Sequence, residues 1–229
     1  MSRRLDPRAA AAVAVVLVGG TLAAILVFGR LSYPSFPSLQ ERPDPSVPGL
    51  VAYLHWDERG DDGACLYVVP ASGEEPPRSL RCGQELSGQP LWSGGEVAVD
   101  VHDRAGVRRL WLDPSSGEVV REEAARDGMG EPPRPLPQGS SSSAAAGELR
   151  TRSRDGRVEL LLRRGGAEQA VATASGPRDY HWWSAAWSPD GRYALVTDSA
   201  QRLLVVRVAD GLVRLLAEDA GEGVWGRAR

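Results

Sequence analysis

Residues 187–217 read WSPDGRYALVTDSAQRLLVVRVADGLVRLLA, in which three apolar runs of strand length are joined by short polar turns. The runs are YALVT, RLLVVRV and LVRLLA, and they are rich in the aliphatic and β-branched residues that favour strands. Asp190-Gly191 and Asp210-Gly211 are dipeptides that supply the positive φ angles of hairpin turns. The stretch therefore predicts antiparallel strands connected by tight turns.

This arrangement recurs toward the N-terminus. Residues 97–123 and 50–82 show the same order of strand, polar turn, strand, glycine turn and further strand. Repeats of about 40–50 residues are typical of four-stranded propeller blades. The sequence therefore predicts an all-β, propeller-like array of about four four-stranded repeats. The turn glycines that align the repeats, at spacings of 44, 48 and 46 residues, are Gly73, Gly117, Gly165 and Gly211.

One repeat carries a motif that identifies a family. Trp187-Ser188-Pro189-Asp190-Gly191-Arg192-Tyr193 stands directly before a predicted strand and resembles the signature of TolB-type, WD40-like propeller repeats. The resemblance implies that Trp187 packs between blades and that the Asp190-Gly191 turn joins the first two strands of a blade. Trp92-Ser93-Gly94-Gly95 resembles a degenerate copy of this motif two blades earlier.

Four repeats are fewer than the six to eight that are usual in that family. A small four-bladed ring, a propeller that has lost blades and an open arc completed by another subunit all fit this number. The first repeat begins at its second strand, whereas the C-terminal region carries Gly223-Val224-Trp225-Gly226, a fragment of a further first strand. Because an uncovered sheet edge invites pairing with another strand, we expect the C-terminal strand to complete the first blade and close the ring.

The N-terminus contains a candidate membrane anchor. Residues 9–29 form an uncharged run of 21 residues, which as a helix spans about 31 Å and matches a hydrocarbon core of about 30 Å. Arg3, Arg4 and Arg8 precede the run, so the positive-inside rule places residues 1–8 in the cytoplasm. The run is longer than a signal-peptide core and no cleavage box follows it. We therefore predict an uncleaved single-pass anchor rather than a cleaved signal peptide.

The remaining chain divides by composition. Residues 30–48 contain five prolines and predict a semi-rigid extended spacer between the membrane and the exported domain, residues 49–229. Within that domain, residues 128–147 are rich in Pro, Ser, Ala and Gly and predict a long loop. The predicted location is the cell membrane, with the C-terminal domain extracytoplasmic.

The two cysteines, Cys65 and Cys82, lie on either side of the Ser72-Gly73 turn at nearly equal distances. In a hairpin centred on that turn they face each other, at a Cα separation that a disulfide accepts. An exported domain lies in an oxidising compartment, which permits the bond. We predict a Cys65–Cys82 disulfide, with two independent buried thiols as the alternative.

An aromatic cluster, His181-Trp182-Trp183, is the candidate binding surface. Tryptophans in this arrangement form stacking platforms for a sugar ring or for an apolar side chain of a peptide. The alternative is packing between blades, which is the usual role of a tryptophan close to the first strand of a blade. Adjacent side chains of a strand point to opposite faces, so we expect at least one of Trp182 and Trp183 to lie near the surface.

The chain carries no motif for a reaction or a cofactor. It lacks a phosphate-binding loop, a dinucleotide fingerprint, a nucleophile elbow and a zinc-binding H-E-x-x-H, and no metal site is predicted. A net charge of −3 excludes the broad basic surface that non-specific nucleic-acid binding needs. The predicted function is a non-catalytic interaction or ligand-binding module for a protein, a peptide or an envelope glycan. The alternatives are a sensor or accessory subunit of an envelope signalling complex and, third, a propeller hydrolase.

Overall fold

A computed structural model describes residues 42–56, 63–104, 106–124, 142–144 and 147–226. These residues form sixteen β-strands and no helix, which confirms the all-β prediction for this part of the chain. No helix within it is long and apolar enough to cross a bilayer.

The predictions for the cytoplasmic residues 1–8, the anchor at 9–29 and the spacer as far as residue 41 fall outside the described residues. Most of the predicted loop at 128–147 also falls outside them.

All sixteen strands pair antiparallel with their neighbours, as expected for short strands that are joined by tight turns. Numbered in chain order, they are β1 Leu50–Trp56, β2 Ala64–Pro70, β3 Arg78–Gly83, β4 Leu86–Ser93, β5 Glu96–Asp103, β6 Gly106–Leu112, β7 Val119–Ala124, β8 Ser142–Ala144, β9 Gly147–Arg154, β10 Arg157–Arg164, β11 Ala167–Ser175, β12 Trp182–Trp187, β13 Tyr193–Asp198, β14 Leu203–Arg207, β15 Val213–Ala217 and β16 Ala220–Gly226.

The strands form four sheets of four strands, as the repeat spacing predicts. Sheet 1 has the order β16-β1-β2-β3, and sheet 2 has the order β4-β5-β6-β7. Sheet 3 runs β8-β9-β10-β11 and sheet 4 runs β12-β13-β14-β15. Sheets 2, 3 and 4 are therefore meanders of consecutive strands, whereas sheet 1 takes its first strand from the C-terminal end of the chain.

The predicted pairing of the C-terminal strand with the first repeat is present. In sheet 1, Val51 lies opposite Trp225 and Tyr53 lies opposite Gly223. A methyl group on Gly223 would come within 2.8 Å of Leu203 in sheet 4, so the missing side chain lets the two sheets approach closely. The C-terminal strand thus fills the first position of sheet 1 and also contacts sheet 4.

Three hydrophobic clusters join the sheets in the spatial order 3-4-1-2. The cluster between sheets 3 and 4 includes Leu160 and Val196, and the cluster between sheets 4 and 1 includes Tyr53 and Leu195. The third cluster joins sheets 1 and 2. Within the described residues no such cluster joins sheet 2 to sheet 3. Members of the third cluster include Leu54, Leu66, Val97, Val99 and Leu112.

Each of the three junctions receives a tryptophan from the first strand of one sheet. Trp187 of sheet 4 donates its indole N–H to the carbonyl of Gly147 in sheet 3, at 3.1 Å. The Trp92 ring of sheet 2 lies directly against Gly226 of sheet 1, where a side chain would not fit. Trp225 of sheet 1 packs on the cluster shared with sheet 4. Trp187 and Trp92 thus each lie at a junction between two sheets.

The disulfide prediction is confirmed. Cys65 on β2 lies directly opposite Cys82 on β3, with 4.0 Å between the Cα atoms, and the two form a disulfide. The bond links the third and fourth strands of sheet 1. It excludes the alternative of two independent thiols.

The end of the proline-rich segment differs from its prediction as a semi-rigid spacer that lies outside the domain. Val47 is 4% exposed and belongs to the cluster between sheets 4 and 1. The Asp44 amide donates to the carbonyl of Ser72 at 3.0 Å, and the Ser46 hydroxyl lies 2.8 Å from that of Tyr193. The prolines do favour an extended chain, but Val47 has apolar surface to bury. The packed domain therefore begins before residue 49.

The predicted loop at 128–147 also needs a correction at its C-terminal end. Residues Ser142–Ala144 form β8, which pairs with the start of β9. A run of serine and alanine has neither helical nor alternating hydrophobicity, but backbone pairing with β9 needs no particular side chain.

Candidate binding surface

Residues 188–192 form a hydrogen-bonded turn between β12 and β13. The Ser188 hydroxyl donates to the Asp190 carboxylate at 2.6 Å and accepts the Tyr193 amide at 3.0 Å. Asp190 also accepts the amide of Arg192 at 3.1 Å. Partial burial opposes ionisation of Asp190, but its bonds to Ser188 and Arg192 outweigh burial and lower its pKa. Gly191 takes the positive φ of 70° that the turn requires, and Pro189 is exposed.

His181 and Trp183 form a stacked pair at the start of β12. Their ring centroids are 5.8 Å apart with an interplanar angle of 27°, and Trp183 is 41% exposed. Trp183 donates its indole N–H to Nε2 of His181, so Nδ1 carries the proton and donates to the carbonyl of Asp179 at 2.7 Å. These two contacts involve both ring nitrogens of His181 and fix the position of the indole beside it.

Trp182, in contrast, is not part of the surface. It is 3% exposed and lies in the cluster between sheets 3 and 4, where its indole N–H donates to the Tyr180 hydroxyl at 2.8 Å. The structure thus corrects the inclusion of Trp182 in the binding surface. The reason is the alternation of the strand, which turns Trp182 inward and Trp183 outward.

A buried polar network lies next to the His181–Trp183 pair. The Tyr180 hydroxyl donates to the Asp198 carboxylate at 3.0 Å, and the Arg202 guanidinium donates to the same carboxylate at 2.9 and 2.7 Å. Burial and the neighbouring Asp198 raise the pKa of Tyr180, so its hydroxyl remains a donor. The Ser199 hydroxyl accepts the amide of His181 at 3.1 Å, which ties the turn after β13 to the aromatic pair.

A second exposed tryptophan, Trp56, lies at the same end of the array. It ends β1 and is 45% exposed. The turn after β13 connects the two places, because the Ser199 amide donates to the carbonyl of His181 at 2.9 Å and the Ala220 amide donates to that of Gln201 at 2.7 Å. Ala220 begins β16 beside the end of β1. We call the surface formed by Trp56, His181 and Trp183 the aromatic end.

Sequence reasoning did not single out Trp56. Trp56 follows a continuous apolar run in β1, so no alternation marks the face on which it lies. Its place beside the start of β16 depends on a strand that arrives from the other end of the chain. The other five tryptophans, in contrast, are less exposed and pack within or between sheets. They are Trp92, Trp111, Trp182, Trp187 and Trp225.

The described residues contain no group of three His, Cys, Asp or Glu side chains that could hold a metal ion. A cavity of about 430 Å³ opens on sheet 3 at the turn between β9 and β10. Its lining is charged, with Arg152, Arg154, Asp155, Arg157 and Glu159.

No protein-family model matches the chain, and no curated protein matches it significantly. Solved structures similar to it include a chain of the mitotic checkpoint complex (16% identity, TM-score 0.26) and the Cps50 (Swd1) β-propeller domain of Myceliophteria thermophila (12%, 0.25). BamB from Moraxella catarrhalis is a third (15%, 0.24). The matches cover 77%, 77% and 80% of this chain but 52%, 58% and 62% of theirs. At such TM-scores, the propeller-like assignment rests on this chain's own strands and sheets.

Proposed function

We propose that this protein is a single-pass, membrane-anchored β-propeller-like module that binds a protein partner outside the cytoplasm and catalyses no reaction. The observation that supports the binding role is the placement of the two most exposed tryptophans, Trp56 and Trp183, at one end of the array. Exposed tryptophans that share one surface are typical of interaction sites, since they supply large apolar contact area with few rotatable bonds.

The geometry of the aromatic pair favours a rigid contact. His181 already holds Trp183 through a stacked ring and a hydrogen bond, so little side-chain entropy is lost when a partner covers the indole. The polar groups beneath the pair are committed to one another, because Asp198 is fully buried and is bonded to both Tyr180 and Arg202. This network positions the surface and leaves no free acid–base pair.

Two features support an extracytoplasmic location. The uncharged run at 9–29 follows three arginines, which favours export of everything after it. The Cys65–Cys82 disulfide fits an oxidising compartment, where such bonds persist.

A crosslinking experiment on the full chain in its native membrane tests the proposal. A photo-activated amino acid is placed at position 183 and, as a matched control, at Leu215, which is 38% exposed on the outer strand β15. We expect one specific protein adduct at 183 and none at 215, and we expect the Trp56→Ala substitution to lower the yield at 183 at least about tenfold.

Equal labelling at both positions would contradict the proposal. If the protein is retained on isolated envelope glycan and gives no protein adduct at position 183, the ligand is a glycan rather than a protein. A fusion of alkaline phosphatase after Arg229 tests the location separately. The phosphatase folds only outside the cytoplasm, so an active fusion supports an extracytoplasmic C-terminus.

A further inference from the structure

A β-bulge at the start of β16 lies beside the exposed Trp56. The one-to-one register of β1 and β16 is lost there, because two residues of β16, Gly221 and Glu222, lie opposite the single residue Leu54. A methyl group on Gly221 would come within 3.5 Å of the indole nitrogen of Trp56, so the bulge reaches the tryptophan. Bulges change the direction of a side chain and are frequent next to functional sites.

The bulged residue Glu222 lies on the same face of sheet 1 as Trp56. Leu54 packs in the cluster shared with sheet 2, and Trp56 follows it by two residues, so both belong to that face. Val224 packs against the same cluster, and Glu222 precedes it by two residues. Long side chains at diagonal positions of paired strands can contact one another. The Glu222 carboxylate and the Trp56 indole therefore share one surface at the aromatic end.

The Glu222 carboxylate has no partner in the described part of the chain. Its Oε2 atom is buried and accepts no hydrogen bond, although the residue as a whole is only partly buried. Burial alone raises its pKa, so no described arginine is close enough to pair with it. A buried oxygen without a donor costs stability. The packing of sheet 1 therefore does not account for an acid at this position.

Further negative charge lies next to Glu222. Glu218 and Asp219 are exposed in the link between β15 and β16. The turn that the start of β16 contacts contains one arginine, Arg202, and its guanidinium is already bonded to the buried Asp198. An exposed aromatic ring thus lies beside carboxylates that this turn does not neutralise.

We propose that Trp56 and Glu222 bind an arginine side chain of the protein partner. A guanidinium is planar, so it stacks on the face of an indole, and its N–H edge remains free to donate to a carboxylate. Glu218 and Asp219 attract the approaching positive charge. Lysine fits this site less well, because its ammonium is a compact and strongly hydrated charge. The inference rests on the proposed function, since it names the chemistry of the partner that covers the aromatic end.

The test measures the binding of a small probe to the full-length chain in detergent. The tryptophans are isotopically labelled at the indole nitrogen, and the Trp56 resonance is identified by its loss in Trp56→Phe. The probe is the peptide acetyl-Gly-Arg-Gly-amide. We expect a saturable shift of the Trp56 resonance. The same peptide with citrulline, which has a similar shape but no charge, should bind at least about tenfold more weakly.

The variant Glu222→Gln isolates the role of the carboxylate. It should weaken binding of the arginine peptide at least about fivefold, because the charge-assisted hydrogen bond is lost. The same variant relieves a buried charge, so it should not unfold the domain, and loss of binding is separated from loss of structure. The matched control is Glu75→Gln, which removes one charge at an exposed position in the turn after β2, at the opposite end of sheet 1. It should leave binding unchanged.

Three results would overturn the proposal: no saturable shift of Trp56 with the arginine peptide, equal binding of the citrulline peptide, or unchanged binding to Glu222→Gln. Equal binding of the matching lysine peptide would overturn the assignment to arginine. The crosslink at position 183 is a separate measurement. An adduct there without a response to the arginine peptide overturns this inference and leaves the proposed function standing, whereas the absence of both overturns the two together.

Discussion

Sheets 4 and 2 have the same meander of four strands but differ in burial. In sheet 4, three of the five residues of the outer strand β15 are buried. In sheet 2, all six residues of the outer strand β7 are exposed, and only one face contributes to a hydrophobic cluster. The difference agrees with the packing of the described residues, where sheet 4 contributes to two hydrophobic clusters and sheet 2 to one. Stability should therefore concentrate around sheets 4 and 1.

Removal of β16, the strand of sheet 1 that contacts sheet 4, should have the largest effect on stability. Deletion of residues 222–229 removes Trp225 and Val224 and leaves β1 as an unpaired edge. Loss of a packed tryptophan costs about 3–5 kcal/mol. We expect the melting temperature of the domain to fall by about 10 °C or more.

The measurement is thermal unfolding followed by circular dichroism. The control is deletion of residues 227–229 alone, which retains the whole of β16. If both truncated chains melt at the wild-type temperature, pairing of β16 with β1 contributes nothing to stability, and the difference between sheets 4 and 2 needs another cause.

A matched pair of core and edge substitutions measures the same difference without removing a strand. Leu195→Ala in sheet 4 removes a side chain that is 2% exposed, and we expect a loss of about 2–5 kcal/mol. Val120→Ala in sheet 2 changes a side chain that is 50% exposed, and we expect less than about 0.5 kcal/mol. Urea unfolding gives both values. Equal losses would show that sheet 4 is no more tightly packed than sheet 2.

The segment before β1 offers a smaller test on the closed side of the array. Val47→Ala removes two methyl groups from the cluster between sheets 4 and 1, and we expect it to destabilise the domain by about 1–2 kcal/mol. Pro45→Ala, at an exposed position of the same segment, is the control and should have little effect. An unchanged urea midpoint for Val47→Ala would mean that residues 44–47 do not contribute to the stability of the domain.

The repeated architecture was predictable because it depends on local signals. Strand length, the Asp-Gly turns and the glycine spacing were all present in the printed sequence, and the Cys65–Cys82 pairing followed from their distance to one turn. The pairing of β16 with β1 was predictable because one repeat lacked a strand and the C-terminus had one in excess. Burial of Val47 was not, because no local pattern shows that an extended proline-rich segment crosses a junction between sheets.

The candidate site was predictable only in part, because its local pattern is visible in the sequence and its contacts between distant residues are not. The alternation of β12 indicates that Trp182 and Trp183 point to opposite faces, but only the packing of sheet 3 against sheet 4 decides which one is buried. Trp56 becomes a neighbour of the aromatic pair only through the turn after β13 and the arrival of β16. Contacts between residues so far apart in the chain leave no pattern in a single sequence.

The smallest expected effect lies on the strand that closes sheet 1. Glu222 of β16 is partly buried, its Oε2 atom has no hydrogen-bond partner among the described residues, and burial raises its pKa. The folded state therefore binds this proton more tightly than the unfolded state, so the domain loses stability as the pH rises from below the ordinary value through the raised pKa. The Glu222→Gln side chain stays neutral throughout, so this variant should be more stable than wild type at pH 7 by about 1 kcal/mol, a difference that shrinks as the pH approaches 4. Urea unfolding between pH 4 and pH 7 measures this difference, and the exposed Glu75→Gln is the control. Parallel pH profiles for wild type and Glu222→Gln would mean that the Glu222 carboxylate is solvated and that water reaches the first strand of sheet 1.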